Sequence, residues 1–204
     1  TGRRVVERLS KVQGVEVVGG VRDVSKAAFF FPTSSSTSTA VEATRLDVVE
    51  DSVEELTRTL AGFDALVVAT GFVVPGNPLK MDAAARAVDN VGTVKLVDAA
   101  VAAKVGKVVL VSSILTNGRA WGQARSPVFL TANAFGHILD QKHVAEAHAR
   151  QSTLDYTIVR PGDLRGDKAP ASGLRLAKED SINAGGVSRD YVADVCVAAL
   201  FDAR

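Results

Sequence analysis

Arg22-Asp23, Asp47-Val48, Ala69-Thr70-Gly71, Ser112-Ser113 and Pro161-Gly162 are the residues of this chain whose types suit ligand chemistry. A guanidinium pairs with a phosphate, a carboxylate accepts from a ribose hydroxyl, and serine or threonine hydroxyls both donate and accept. Glycine lets a ligand approach the backbone closely. Each cluster closes or directly follows a short apolar segment: VEVVGGVR (15–22), ATRLDV (43–48), ALVVAT (65–70), GKVVLVSS (106–113) and DYTIVRP (155–161). The central segments are continuous apolar runs, which predicts parallel strands covered on both faces. In an open parallel sheet, ligands bind outside the carboxyl ends of the strands. Five such clusters at successive strand ends therefore mark one candidate site.

Helical spacing predicts the elements that connect these strands, near 3–12, 51–61, 81–103 and 134–151, with a last helix beginning near Ser188. The repeated β-α-β order predicts an α/β fold, a doubly wound parallel sheet with right-handed crossovers, as a single domain over 1–204. Three stretches break the pattern. FFFPTSSSTSTA (29–40) reads as a polar surface insert, and GFVVPGNPLK (71–80) as a loop over the sheet's carboxyl edge. Residues 163–187 form an irregular region on the substrate side of the same edge.

The opening TGRRVVERL reads as a turn with an N-cap, Thr1-Gly2, followed by a helix and then the first visible strand. That order is the back half of a βαβ unit. The expectation is that about ten residues precede it, an apolar strand and a Gly-rich turn, the strand lying between 15–22 and 65–70 in the order 3-2-1-4-5-6. Gly2 then suits the third glycine of a dinucleotide fingerprint, with the helix N-terminus facing a pyrophosphate; the alternative is an ordinary loop-to-helix turn. In this fold an acid about 20 residues on holds the ribose 2′-OH, whereas an arginine accommodates a 2′-phosphate. Position 22 is Arg, and Gly19-Gly20-Val21 before it hold no acid, which favours NADP(H). Asp23 is also placed to serve the ribose.

Other chemistries are excluded. Lys+Arg 24 against Asp+Glu 23 leaves a formal charge of +1, which gives no reason to expect nucleic acid as a partner. No apolar run approaches the roughly 20 residues of a transmembrane helix. The lone cysteine, Cys196, lies in the apolar pattern YVADVCVAAL and builds neither a disulfide nor a metal site. His143 and His148 are five apart, so on a helix they diverge by roughly 140° and cannot share a metal as a zinc-protease pair does. No metal site is expected. Ser112 and Ser113 lie outside any G-x-S-x-G elbow.

GRRVVERL with VRD, VDNVGTVKLVDAA, KVVLVSSI, SSILTNG-x-x-x-GQ, HVAEAHARQSTLDYTIVRPGDL and GGVSRDYVADV resemble the atypical short-chain dehydrogenase/reductases. Within that family the sequence is similar to the plastid Tic62-like and NmrA-like branch, over nearly the whole chain except 29–40 and parts of 114–133. The resemblance implies an NAD(P)-binding Rossmann fold whose opening reads G-x-T-G-x-T-G, so that Thr1-Gly2 is its tail. It implies that Thr1, Gly2 and Arg3 sit at the pyrophosphate, Arg22 at the 2′-phosphate, and Asp47 and Val48 beside the adenine. Ala69, Thr70 and Gly71 would pass under the cofactor, Asn90 would support the site, and Ser112 and Ser113 would face the nicotinamide. Lys142 would bond the nicotinamide ribose, and Pro161, Gly162 and Leu164 would close over the ring, with Ser113 and Lys142 orienting a small-molecule substrate. A plastid location is implied in the same way.

The chain departs from the catalytic members at one place. They carry Tyr-x-x-x-Lys, in which the lysine's charge lowers the phenol's pKa for proton transfer. Four residues before Lys142 stands Ile138, which cannot donate a proton. Tyr156 lies inside a strand and is expected to pack in the core. The sequence thus supports an NADP(H)-dependent oxidoreductase-type protein, or alternatively a non-catalytic, NADP(H)-responsive scaffold that reports to a protein partner.

Overall fold

The computed structural model describes residues 1–27, 30–31, 40–166 and 173–202, so most of the polar stretch 29–40 and part of 163–187 lie outside the described residues. Its five main strands are β1 (Val18–Val21), β2 (Glu42–Arg45), β3 (Ala65–Val68), β4 (Lys107–Val111) and β5 (Tyr156–Val159). All pair in parallel, β1 with β2, and β4 between β3 and β5. β4 is buried along its whole length. Its alternation explains the continuous apolar run: Val108 and Leu110 face one core, Val109 and Val111 the other.

The first core is closed by α3 (Val53–Leu60) and α5 (Thr93–Ala102), through Leu56, Leu60, Leu96, Ala99 and Ala100. Ser52 caps α3, accepting from the Glu55 N–H while the Glu55 carboxylate accepts from the Ser52 N–H. The second core is closed by α1 (Gly2–Leu9) and α8 (Arg189–Leu200), through Val5, Leu9, Val192, Ala193 and Cys196. Burial pushes the Cys196 thiol up to about 11, so it packs as a small hydrophobe and has no thiolate character near neutrality. Arg4 and Arg8 both reach Asp190 at 3.1 Å, and Arg8 reaches Asp194 at 2.5 Å, which fixes α1 against α8.

The helix expected over 81–103 is interrupted. A 3₁₀ turn (Pro78–Lys80) leads into α4 (Met81–Ala85), the chain widens to a π-helix over Arg86–Gly92, and α5 follows. Helix α7 runs Ile138–Gln151, not from 134, because Gly136 and His137 take left-handed backbone angles and end the preceding turn. A helix that the apolar pattern did not reveal, α6 (Pro127–Asn133), begins at Ser126, which accepts from the Phe129 N–H, with Pro127 at its first position. The short α2 (Val24–Ala27) follows β1. A two-residue parallel pair, β6 (Asp163–Leu164) with β7 (Gly186–Val187), clips together the ends of the irregular region. A side chain at Gly162 would strike the Gly185 carbonyl, so that clip requires glycine.

β1 and β3 are not paired with each other. Between them runs a cleft of about 1390 Å³, lined by Val18, Val21, Leu66, Val67, Val5 and Leu9 among others. Its apolar walls and unpaired strand edges suit one more parallel strand. Adding an apolar strand and a Gly-rich turn ahead of Thr1 should stabilise the fold by about 2 kcal/mol or more, which raises Tm by roughly 4–8 °C at this size. Calorimetric melting of the chain with and without that addition checks this. Equal Tm values would show that the cleft is not a pairing site.

Candidate functional site

The polar clusters gather at the carboxyl edge, as the strand ends require. Backbone bonds fix that edge: the Ser112 N–H donates to the Val159 carbonyl at 2.8 Å, and the Ile114 N–H to the Pro161 carbonyl at 2.9 Å. Ser112 is buried, Ser113 half-buried, Pro161 buried and Gly162 half-buried. Leu164 packs on the second core from β6. A Cβ on Gly2 would stand 3.6 Å from that of Ala69, so the first turn of α1 lies beside the end of β3. Thr1 occupies the cap position, its carbonyl accepting from the Arg4 N–H at 2.9 Å. Arg3 is half-exposed, 3.7 Å from Glu7, with its guanidinium 6.0 Å from the Phe30 ring centre.

At the end of β1, Arg22 is exposed and has no hydrogen-bond or ion-pair partner among the described residues. Asp23 is occupied. Its carboxylate accepts from the Ser25 hydroxyl at 2.7 Å and the Lys26 N–H at 3.2 Å, and lies 3.1 Å from the Lys26 ammonium. The Ser25 hydroxyl first, then Lys26, hold this carboxyl down to about 2. At the end of β2, Asp47 accepts from the Val49 N–H at 2.9 Å and donates its own N–H to Asp51 at 2.7 Å. Val48 points into the first core, against Gly92, and its side chain is not part of the open edge.

Thr70, Ser112 and Lys142 come together around a recess of about 10 Å³ that Asp89 and Thr93 also line. Gly71 joins them, since a Cβ there would lie 3.9 Å from the Asp89 carboxylate. The Lys142 ammonium is 2.8 Å from Asp89 Oδ1, and Oδ2 accepts from the Phe72 N–H at 3.2 Å. The Lys142 ammonium is the counter-charge of Oδ1, and the Ser112 hydroxyl has no hydrogen-bond partner among the described residues. Asn90, expected to support the site, donates to Gln141 on α7, the neighbour of Lys142, at 2.9 Å. The residue that the sequence reading missed is its neighbour, Asp89. The available signal was an acid in the inner stripe of Ala85, Asp89, Thr93 and Leu96.

A second network was also missed. Glu146 on α7, buried to 1% side-chain exposure, accepts from the Thr116 hydroxyl at 3.1 Å and from Arg160 Nε at 3.0 Å. Arg160, directly before Pro161-Gly162, also reaches Asp180 at 3.0 Å and Glu179 at 2.8 Å. Asn117 donates to Asp180 at 2.8 Å. The loop after β4, helix α7, the end of β5 and the segment at 179–180 are thereby joined. Burial opposes the Arg160 charge, but the Glu146 carboxylate overcomes it and raises the guanidinium's pKa.

Ile138 packs beside Leu139, Leu115 and Phe129. Tyr156 is half-buried on the outer strand, not enclosed in the core as expected. It pairs with Val108 at the start of β5, three residues before Val159, so it stands about 10 Å from the carboxyl edge. The histidines stay apart: His137 faces Asp82 at 3.4 Å, His148 faces Asp98 at 2.6 Å, and His143 is exposed. Among the described residues no group of metal-binding side chains forms, and no helix is long and apolar enough to cross a membrane.

The sequence pattern of a family described as NAD(P)H-binding matches residues 1–203. An uncharacterized chloroplastic protein of Arabidopsis thaliana is 43% identical over 208 residues, 98% of this chain and 68% of that protein. The chloroplastic protein TIC 62 of rice, Oryza sativa subsp. japonica, is 32% identical over 97% of this chain, which spans only 41% of its length. Among solved structures, the oxidoreductase ylbE of Lactococcus lactis superimposes with a TM-score of 0.70 at 25% identity, covering 96% of this chain and 76% of that one.

Two variants test the geometry. Glu146→Gln leaves Arg160 short of its buried counter-charge and should cost about 3 kcal/mol in denaturant unfolding; a loss below about 1 kcal/mol would show that Glu179 and Asp180 suffice. Tyr156→Phe, remote from the edge, should leave NADPH affinity and any turnover within a few-fold of the parent. A large loss of turnover at unchanged stability would move the proton donor to β5.

Proposed function

The chain belongs to the NAD(P)H-binding family, and from that premise we propose that it is an NADP(H)-binding, oxidoreductase-type protein of the atypical short-chain dehydrogenase/reductase group. One observation carries the choice of NADP(H): at the end of β1 the guanidinium of Arg22 is exposed and unpartnered among the described residues, while the neighbouring Asp23 carboxylate is engaged by Ser25 and Lys26. An unengaged cation suits a 2′-phosphate; an engaged carboxylate is poorly placed to hold a 2′-hydroxyl.

The rest of the edge fits the same ligand. Gly2 beside Ala69 presents the α1 N-terminus to a pyrophosphate, and Thr70, Gly71, Ser112 and Lys142 line the nicotinamide end. The buried Ser112 hydroxyl has no hydrogen-bond partner among the described residues, so it is available to a ribose or carboxamide group. When bound, the nicotinamide supplies hydride chemistry. This chain's residues hold and orient: Lys142 bonds the ribose, Ser113 faces a small-molecule substrate, and Pro161, Gly162 and Leu164 form the wall opposite. Asp47 and Val48 contribute the adenine side through the turn after β2.

Ile138 favours a second reading, a non-catalytic NADP(H)-responsive scaffold with a protein partner, because Tyr156 lies too far from the edge to replace the missing phenol. Following nicotinamide absorbance with plastid-type carbonyl compounds separates the two, since only the oxidoreductase consumes NADPH. A plastid location is part of the proposal, supported by the chloroplastic relatives.

Arg22→Ala should weaken NADPH binding about tenfold or more, the loss of one or two charge-assisted hydrogen bonds, and barely change NADH binding. Calorimetric titration with both cofactors checks this. Equal losses for the two would show that Arg22 does not read a phosphate.

A further inference from the structure

Asp89 is the charged group at the edge that nothing above employs. Its side chain is 1% exposed and that of Lys142 15%. A carboxylate so buried is tolerated only where it is compensated. Here the Phe72 N–H donates to Oδ2 at 3.2 Å and the Lys142 ammonium stands 2.8 Å from Oδ1. Asp89 thus touches the loop after β3 and helix α7 at once.

The backbone is shaped for this contact. Over Arg86–Gly92 the helix widens to π geometry, and the Thr93 hydroxyl donates to the Val88 carbonyl five residues back at 3.1 Å. Such single widened turns reset which residues face inward. Asp89 faces the recess, and Asn90 is carried round to Gln141. Gly92 is needed in the same turn, because a Cβ there would lie 2.8 Å from both the Ala87 carbonyl and a Val48 methyl.

We propose that Asp89 is the positioning residue for Lys142, holding its ammonium at the carboxyl edge and compensating its charge. The contact with Lys142 stands on geometry alone; its consequence for ligand binding rests on the cofactor reading above. A compensated ammonium remains a good donor to neutral ribose hydroxyls. It is a weaker electrostatic activator of a neighbouring phenol than a bare one, since the adjacent carboxylate opposes its field. Asp89 and Ile138 are therefore consistent with each other: the lysine is set for binding, and no phenol awaits activation.

Two measurements test the proposal. Reductive dimethylation followed by mass spectrometry reads the reactivity of Lys142 without any cofactor. Asp89→Asn should raise it about fivefold or more, because the amine loses its anchor; Asp89→Ser serves the same comparison if the asparagine variant does not fold. Calorimetric NADPH titration of the parent, Asp89→Asn, Lys142→Met and the double variant reads the consequence. Each single variant should weaken binding by about tenfold, and the double by little more than either alone. A merely structural Asp89 would lower Tm while leaving Lys142 reactivity unchanged and the affinity losses additive, and either of those results overturns the proposal. If the parent does not bind NADPH, the cofactor reading fails, and the Lys142 reactivity alone decides the role of Asp89.

Discussion

The structure depends on β4, whose backbone is paired on both sides and whose side chains are buried on both faces. Such a strand cannot carry a polar side chain along its apolar length without burying it unpaired. Polar residues can follow only at its end, where Ser112 and Ser113 begin. β3 and β5 each pair with β4 in parallel, which brings their ends beside Ser112 and Ser113, so the ligand-competent groups fall along one edge. Lys107 at the opposite end of β4 obeys the same constraint, its ammonium meeting Asp155 at 2.9 Å.

Ion pairs hold what the sheet does not. β1 and β3 face each other across a cleft, yet α1 keeps its place through Arg4 and Arg8 against Asp190 and Asp194 on α8. That arrangement leaves Gly2 beside Ala69, so the first helix stays registered to the end of β3 by contacts on the helix layer. These pairs are partly exposed, and each contributes modestly. Two arginines one helical turn apart that share the Asp190 carboxylate restrict the rotation of α1 more than its apolar contacts alone would.

β4 was legible because burial on both faces leaves a continuous apolar signature, and the candidate edge followed from where that run and its neighbours stop. The helices that carry a strong inner stripe, α3 and α5, were legible for a related reason. What was hidden depends on backbone geometry or distant pairing. The left-handed Gly136-His137 step moved the start of α7, and the Ser126-Pro127 cap of α6 opens a helix too short to show a period. Asp89 falls on the inner stripe of its helix, but its partner Lys142 comes from α7, so its place in the recess depended on a distant pairing. Glu146 and Arg160 reach each other from a helix and a strand end, so no local pattern announces them.

The two buried ion pairs divide the edge into parts with different tasks. Glu146 and Arg160 sit behind Pro161-Gly162 and bond to one another, to Thr116 and to Asp180, so their polar atoms are directed at protein. That pair fixes the wall. Asp89 and Lys142 border the recess beside Thr70 and Ser112, the carboxylate met by the ammonium and the Ser112 hydroxyl without a hydrogen-bond partner among the described residues. An ammonium and a hydroxyl that line the recess can bond a ligand there, whereas a pair whose polar atoms all meet protein has nothing left to offer. The chemistry of the edge therefore concentrates at the recess, and the rigidity that presents it comes from the saturated pair one helical turn along α7.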